Sequence, residues 1–119
     1  MKVLIIEDNP INRLLLKKIL SHHGVDVLEA ENGKIGIEKA RNQIPNLILL
    51  DLQLPEIDGC TVAKTLKADE STAHIPLIAV SANVREADKM KAIEAGCEGF
   101  IEKPVNTRTL FEQIKQYVS

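Results

Sequence analysis

Carboxylates directly follow two apolar stretches of this chain. Glu7 and Asp8 come after residues 3–6 (VLII), and Asp51 comes after residues 47–50 (LILL). Short runs of Val, Ile and Leu are typical of strands buried on both faces of a parallel sheet. Carboxylates gathered at the ends of such strands repel one another unless a hard cation joins them, and oxygen ligands suit Mg²⁺. The sequence therefore predicts a magnesium site formed by these three side chains.

Apolar runs and amphipathic segments alternate along the chain and predict the elements that carry these residues. Strands are predicted over residues 2–6, 25–29, 47–50, 77–80 and 99–101, and helices over 10–23, 34–42, 59–68, 86–95 and 107–118. Asn9 stands before a proline, a pattern typical of a helix N-cap. Gly24 and Gly96 fall where helices are predicted to end in a left-handed residue. Asn106 or Thr107 is expected to cap the last helix.

Five strand–helix units predict an α/β fold, a doubly wound five-stranded parallel sheet with helices on both faces. If the strand order is 2-1-3-4-5, a common order in such sheets, strands 1 and 3 are neighbours and the chain reverses direction between them. Open α/β sheets bind ligands in the crevice at such a switch point. Glu7, Asp8 and Asp51 are the residues expected there.

Length and composition further limit the classes of protein to which this chain can belong. The 119 residues suit one domain over 1–119, and 45% hydrophobic with 27% charged residues indicates a globular chain. A net charge of -2 argues against a dedicated nucleic-acid binder. We recognise no signal peptide and no apolar stretch long enough for a membrane span, which favours a cytoplasmic protein. Cys60 and Cys97 form no CxxC motif and are expected to be free thiols.

Two further polar side chains follow predicted strands: Ser81 after 77–80, and Lys103 shortly after 99–101. An acidic pair, a lone Asp, a hydroxyl and an amine at one sheet edge resemble the receiver domain of two-component response regulators, which has the CheY-like, flavodoxin-like (βα)5 fold. The resemblance covers essentially the whole chain. It is strongest to small single-domain receivers of the DivK type, through EDN at 7–9, LPEI at 54–57, AHIP at 73–76 and EKP at 102–104.

The resemblance implies a role for each residue of the set. Asp51 is the expected phosphoryl acceptor, whose carboxylate attacks phosphorus and forms an acyl phosphate. Mg²⁺ is the expected cofactor, held by Asp8 and Asp51, by Glu7 mainly through a water, and by the backbone carbonyl of Gln53. Lys103 places an ammonium beside the transferred group, where positioning and charge neutralisation supply most of the catalysis.

The same resemblance implies a conformational switch. Ser81 is expected to turn its hydroxyl toward a phosphoryl oxygen, and Ala82 is small enough to leave room for that group. Phe100 is expected to swing inward when Ser81 moves, unless it is simply a core residue. The face formed by helix 4, strand 5 and helix 5 would then change for partner binding. Pro104 is expected to follow a cis peptide bond with Lys103.

Residues around this machinery carry further expectations. Val84, Ile101 and Glu102 are expected near the switching face. Gln53 and Asn83 flank the site and are expected to tune hydrolysis of the phosphorylated state by admitting or excluding water.

The first predicted helix is more apolar than one buried stripe requires. Leu16, Ile19 and Leu20 suffice for a core stripe, which leaves Ile11, Leu14 and Leu15 beside the acidic residues. We hypothesise that these three dock a helical phosphodonor, either a sensor histidine kinase or a histidine phosphotransfer protein. A helix buried on a broad face is the alternative.

Other functions stay open at this point. The chemistry is expected to be confined to self-phosphorylation and self-dephosphorylation of Asp51, so the domain is not predicted to be an enzyme on outside substrates. An aspartate-nucleophile phosphatase would need a second Asp where Gln53 stands, and a flavin site would need a phosphate cradle where Glu7 and Asp8 stand. A receiver-like module that binds partners without phosphorylation is one alternative. A receiver cut from a hybrid kinase or larger regulator is another. Neither nucleic acid nor membrane is an expected partner, and the expected state is a monomer or a weak phosphorylation-dependent dimer.

Overall fold

A computed structural model describes residues 1–82 and 85–118, in which strands and helices alternate. The strands are β1 (Lys2–Ile6), β2 (Asp26–Ala30), β3 (Leu47–Asp51), β4 (Leu77–Ser81) and β5 (Gly99–Glu102). The helices are α1 (Pro10–His22), α2 (Gly33–Gln43), α3 (Gly59–Ala68), α4 (Glu86–Glu94) and α5 (Leu110–Lys115). Asn83 and Val84, for which the sequence carried expectations, lie outside the described residues.

The strands form one parallel sheet in the order β2-β1-β3-β4-β5. The predicted fold and strand order are therefore confirmed. Ile6 at the end of β1 pairs with Ala30 of β2 on one side and with Leu50 of β3 on the other. Because parallel strands share a direction, Glu7 and Asp51, the next residues along β1 and β3, emerge at the same sheet edge.

Alternate residues of the strands face two separate apolar layers. Leu4, Ile6 and Leu50 belong to the layer covered by α2, α3 and α4. Val3 and Leu49 belong to the opposite layer, covered by α1 and α5. The runs of Val, Ile and Leu are continuous because both faces of the central strands are buried.

The start of α1 is fixed by its N-cap. The Asn9 side-chain oxygen accepts hydrogen bonds from the N–H groups of Ile11 and Asn12, at 2.9 and 3.1 Å. Pro10 takes the first helical position, where a missing N–H costs nothing. The predicted cap is confirmed, and it places α1 directly after the acidic pair.

Glycines end α1 and α4 with the same hydrogen-bond pattern. After α1, Gly24 has a φ of 76°, its N–H donates to the Ser21 carbonyl, and the Val25 N–H donates to the Leu20 carbonyl. Gly96, with a φ of 106°, ends α4 in the same way. These are Schellman motifs, in which an L side chain at the positive-φ position would be strained. Because the Val25 amide is engaged there, β2 starts at Asp26, one residue later than predicted.

The prediction for the last helix is wrong at both ends, because α5 begins at Leu110 and ends at Lys115. Asn106 accepts from the Arg108 N–H through its side chain and from the Thr109 and Leu110 N–H groups through its carbonyl. It therefore holds a turn before the helix, so that neither Asn106 nor Thr107 is the N-cap. At the other end, residues 117 and 118 leave the helix and pack against the apolar layer below α1 and α5.

Both cysteines are free thiols, as expected. Burial raises the pKa of Cys97 to about 12 and also raises the pKa of the half-buried Cys60. Across residues 1–82 and 85–118, every helix is too short or too polar to cross a membrane.

The central strands should carry most of the stability. Leu50 is fully buried in the layer below α2 and α3, so replacing it with Ala should lower the free energy of unfolding by about 2–5 kcal/mol. Ile93 on α4 is 69% exposed, and Ile93→Ala should change it by no more than about 0.5 kcal/mol. Urea unfolding followed by circular dichroism measures both, and equal losses would contradict the assignment of the core.

Candidate functional site

The three predicted carboxylates meet at the switch point between β1 and β3. One carboxylate oxygen from each of Glu7, Asp8 and Asp51 lies within 4.8 Å of the other two. Their environments differ, because Glu7 is 2% exposed and Asp51 4% exposed, whereas Asp8 lies on the surface. Two anions are therefore held largely away from water and one faces it, which concentrates negative charge at one edge of the sheet.

Lys103 provides the counter-charge. Its Nζ lies 2.8 Å from Glu7 Oε1 and 3.2 Å from Asp51 Oδ2. The Lys103 N–H donates to the Ser81 carbonyl at 2.8 Å, which continues the pairing of β4 with β5 and anchors the backbone. The Lys103–Pro104 peptide bond is cis, as the resemblance implied. Lys103 thus reaches across the sheet from the end of β5 to both buried carboxylates.

Crowding changes the proton affinities of this cluster. Burial, together with the neighbouring Asp51 carboxylate, raises the pKa of Glu7 from 4.5 to about 7, against an opposing effect of Lys103. Burial by itself lowers the pKa of Lys103, but the contacts with Glu7 and Asp51 outweigh it and raise that pKa. Lys103 is therefore positively charged at neutral pH, whereas Glu7, with a pKa of about 7, is only partly ionised there.

The loop after β3 closes around Asp51. The Gln53 N–H donates to Asp51 Oδ1 at 2.9 Å. Gly59 begins α3 so close to the strand that a Cβ there would lie 2.5 Å from the Asp51 carbonyl oxygen. Asp58 caps α3 by accepting from the Thr61 N–H at 3.0 Å, so this acidic residue belongs to the helix start and not to the cluster.

Ser81 ends β4 beside the acidic cluster, and Ala82 follows it. Ser81 is buried and pairs with Glu102 of β5, whereas Ala82 is exposed. On one side, Ser81 and Gln53 line a cleft of about 350 Å³ between α3 and α4. On the other side, Ala82 lines a groove of about 290 Å³ that reaches Glu7 and Lys103. The end of β4 thus separates two openings to the same site.

Phe100 lies outside the acidic cluster, on β5. Its half-buried ring packs against the α2–α4 layer, and Lys89 Nζ of α4 lies 5.9 Å from the ring centre. Met90 and Ile93 of α4 are exposed, by 52% and 69% respectively. The face that the resemblance predicts to switch therefore carries apolar side chains in contact with water.

The first helix presents a second exposed apolar patch. Ile11 is 77%, Leu14 49% and Leu15 41% exposed, whereas Leu16 and Leu20 are buried. The alternative of a helix buried on a broad face is wrong for these residues. Leu15 also lines the 290 Å³ groove that leads to Glu7 and Lys103. We call Ile11, Leu14 and Leu15 the α1 patch.

Arg13 was missed by reasoning from the sequence. Its Nη1 donates to the main-chain carbonyl of Glu7 at 2.9 Å, and its Nε lies 3.3 Å from Glu29 Oε1. No sequence motif predicts this hydrogen bond, because its acceptor is a backbone carbonyl, which every residue has. The only signal in the sequence is one of position: Arg13 stands one helical turn after the Asn9 cap and so faces back toward the acidic turn.

The donor set of the cluster fits a hard divalent cation. It consists of carboxylate oxygens on one edge, with Asp8 open to solvent and with Lys103 at the buried side. Mg²⁺ prefers oxygen ligands and keeps several waters, which an exposed position such as that of Asp8 allows. The arrangement offers no thiolate or imidazole near these oxygens within residues 1–82 and 85–118.

A carboxylate trio at the switch point, a lysine that reaches it from beyond β5 and a hydroxyl at the end of β4 form the arrangement that the sequence resemblance implied. The family model of the response regulator receiver domain matches residues 3–115. The chain therefore belongs to this family of two-component signalling proteins.

Individual relatives agree with the family. The polar-differentiation response regulator DivK of Brucella anthropi is 39% identical over 116 residues, covering 98% of this chain and 94% of the relative. DivK of Brucella ovis matches with the same identity and coverage. The chain is thus similar to DivK along nearly its whole length.

Solved structures give the same fold. The receiver domain of the sensor histidine kinase PA1611 from Pseudomonas aeruginosa has a TM-score of 0.91 at 28% identity, covering 98% of this chain and 95% of that one. That structure has a magnesium ion coordinated in its active site cleft. The chemotaxis protein CheY4 of Vibrio cholerae has a TM-score of 0.94 at 22% identity, with 98% of each chain covered. The CheY4 likeness shows the fold alone.

The raised pKa of Glu7 predicts a pH-dependent stability of the metal-free protein. The folded state holds a proton that the unfolded chain releases, so the stability from Glu7 is lost as pH rises from 4.5 through about 7. Replacing Glu7 with Gln should therefore raise the free energy of unfolding at about pH 8 and change it much less at about pH 5. Urea unfolding in excess chelator measures the difference, and a gain that is larger at the lower pH would contradict the burial argument.

Proposed function

We propose that this receiver domain accepts a phosphoryl group on Asp51 from a phosphohistidine donor in a reaction that depends on Mg²⁺. The observation that carries the proposal is the position of Asp51. Its carboxylate closes the central strand, within 4.8 Å of the Glu7 and Asp8 oxygens and 3.2 Å from Lys103 Nζ. A merely structural aspartate at a strand end has no need of two anions and an ammonium around it.

In the proposed transfer, an oxygen of Asp51 forms a bond to phosphorus while the bond from phosphorus to the donor's imidazole nitrogen breaks. The electron pair of that bond stays on the imidazole, which ends neutral or takes up a proton from solvent. The Gln53 N–H holds Asp51 Oδ1 at 2.9 Å and thereby fixes the plane of the carboxylate. Lys103, already paired with Asp51, supplies a positive charge beside the transferred group.

The metal site we propose uses Asp8 and Asp51 as direct ligands. Glu7, which Lys103 holds on the buried side, contributes mainly through a bound water, and the Gln53 backbone carbonyl completes the protein ligands. When bound, Mg²⁺ neutralises negative charge on the carboxylates and the phosphoryl oxygens. The magnesium ion in the PA1611 receiver domain supports this choice of metal.

The output we propose is a rearrangement of the α4–β5–α5 face. Ser81 would turn its hydroxyl toward a phosphoryl oxygen over the small Ala82, and the Phe100 ring would move further inward. Phe100 is half-buried and has Lys89 over one face, so there is apolar ring surface left to bury. A partner that binds the rearranged face more tightly shifts the equilibrium between two folded states.

The input we propose is the α1 patch. Ile11, Leu14 and Leu15 are exposed beside the groove that leads to Glu7 and Lys103. A helical histidine kinase bundle or a histidine phosphotransfer protein would cover these side chains and bring its phosphohistidine to the edge of the sheet. Apolar helix faces docked in this manner give much of the affinity of helical partners.

We further propose that the domain does not act on outside phosphoesters. Gln53 is exposed two positions after Asp51, and its amide protons are far too weakly acidic to protonate a leaving group as a general acid does. The alternative of a receiver-like module that binds partners without phosphorylation is separated from our proposal by the next experiment.

Replacing Asp51 with Asn should abolish phosphorylation, because an amide is a far weaker nucleophile than a carboxylate. Intact mass spectrometry after incubation with a small acyl phosphate and Mg²⁺ should show a gain of about 80 Da, one phosphoryl group, in the native chain. The gain should be lost in Asp51→Asn and when Mg²⁺ is chelated.

Asp58→Asn is the matched control, since it changes another aspartate of the same loop that caps α3 and lies outside the cluster. It should be phosphorylated like the native chain. A gain that survives in Asp51→Asn would move the acceptor elsewhere, and no gain in the native chain would favour the binding-only module.

Replacing Leu15 with Asp should slow transfer from a phosphorylated histidine phosphotransfer protein by about tenfold or more, since a charge in an apolar interface is desolvated on docking. Phosphorylation by a small acyl phosphate should be unchanged. Ile93→Asp, at another exposed apolar position, on α4, is the control and should leave both rates as they are. Equal slowing with both donors in Leu15→Asp would show damage to the site instead of to the docking surface.

A further inference from the structure

Arg13 joins three parts of the molecule beside the acidic cluster. From the first turns of α1, its Nη1 donates to the Glu7 carbonyl at 2.9 Å, and its Nε contacts Glu29 of β2 at 3.3 Å. The side chain of Arg13 is 19% exposed, so most of it is shielded from water. A charge-assisted hydrogen bond in such a position is stronger than one between neutral groups.

The carbonyl that Arg13 holds belongs to the peptide linking Glu7 to Asp8. The preceding Ile6–Glu7 peptide is fixed as well, because the Glu7 N–H donates to the Ala30 carbonyl at 3.0 Å. Rotation about the Cα–C bond of Glu7 would turn this carbonyl away from Arg13 and would carry the Asp8 carboxylate with it. The contact with Arg13 opposes this rotation.

Asp8 itself has little else to position it. In the described ranges 1–82 and 85–118, no hydrogen bond or ion pair to its carboxylate is found, and the residue is exposed. Glu7 and Asp51, by contrast, are each held by Lys103. The placement of Asp8 therefore depends on the backbone that precedes it.

Glu29 in turn holds Arg13 in place. Its side chain is shared with Lys17, whose Nζ lies 3.2 Å from Oε2. Its carbonyl accepts from Lys39 of α2, which ties the end of β2 to the neighbouring helix. Lys17 shares the anion but does not reach Glu7, and an experiment can use this difference.

We infer that Arg13 is a positioning residue, which sets the Asp8 carboxylate for Mg²⁺ through the carbonyl of Glu7. This inference rests on the proposed function, since it takes Asp8 as a metal ligand. Groups that hold a metal ligand without touching the metal commonly change metal affinity by about 10–100-fold when they are removed. Arg13 acts through main chain instead of through a ligand side chain, which favours the lower end of that range.

Titration calorimetry with MgCl₂ tests the inference directly. Replacing Arg13 with Ala should weaken Mg²⁺ binding and raise the dissociation constant by about tenfold. Lys17→Ala removes the exposed half of the same Glu29 pair and should change it by less than about twofold. Glu29→Gln, which keeps Arg13 but loosens it, should weaken binding in the same direction and by less than Arg13→Ala. Circular dichroism on each variant establishes that it is folded.

The dependence of acyl-phosphate phosphorylation on Mg²⁺ provides a second readout. For Arg13→Ala the Mg²⁺ concentration at half-maximal rate should rise by the same factor as the dissociation constant. The rate at saturating Mg²⁺ should return to the native value. General damage to the fold would lower the saturated rate as well, and that result would overturn a positioning role.

The outcomes separate the inference from the function on which it rests. If the native chain binds Mg²⁺, Asp8→Ala does not, and Arg13→Ala binds as tightly as the native chain, the proposed site stands and the role of Arg13 is refuted. If the native chain itself fails to bind Mg²⁺, the proposed metal site fails and the inference falls with it. Weakening by Lys17→Ala equal to that by Arg13→Ala would also refute it, because loss of surface charge would then be sufficient.

Discussion

Repulsion among three carboxylates within 4.8 Å of one another is the constraint to which the rest of this structure is adjusted. Such a cluster is tolerated because Lys103 crosses the sheet to pair with the two buried members, while the third faces water. Burial and the neighbouring Asp51 raise the pKa of Glu7 in spite of Lys103, so Lys103 offsets the negative charge of the cluster only in part. In the proposed function, the remaining excess of negative charge attracts a cation and, through the cation, a phosphoryl group.

The order of the strands brings the carboxylates and the lysine that offsets their charge to one edge of the sheet. Strands β1 and β3 lie side by side with their ends at one edge, so acidic residues far apart in sequence come together without any loop having to be long. The lysine arrives from β5, two strands away from β3, and needs the length of its side chain to reach them. The fold thus fixes the distances among the carboxylates and Lys103, on which the proposed phosphoryl transfer depends, before any ligand binds.

Much of this fold was predictable because its local signals agree with one another. The apolar runs identified all five strands, and Asn9, Gly24 and Gly96 marked helix ends with the backbone geometry that the structure shows. The last helix was predicted too long because Asn106 has two competing uses, as a cap or as the start of a turn. At the other end of this helix, the residues beyond Lys115 leave the helix and pack against the apolar layer.

The site was predictable in its residue types and not in its internal differences. A carboxylate, a hydroxyl or an amine at the end of a buried strand is visible in sequence, as at Asp51, Ser81 and Lys103. That Glu7 would be buried and Asp8 exposed depends on which face of the sheet each residue meets as the strand ends. The contact of Arg13 with a main-chain carbonyl depends on the rotation of α1 about its axis, which no short stretch of sequence encodes.

Helices α1 and α4 cover opposite faces of the sheet, so their exposed apolar side chains lie on opposite sides of the domain. Two proteins that use these two patches do not compete for the same surface. In the proposed function, the phosphodonor and the downstream partner can therefore bind at the same time. Concentration and affinity then set the order in which they bind. In the proposed function, the buried sheet therefore separates the surface that binds the phosphodonor from the surface that binds the downstream partner.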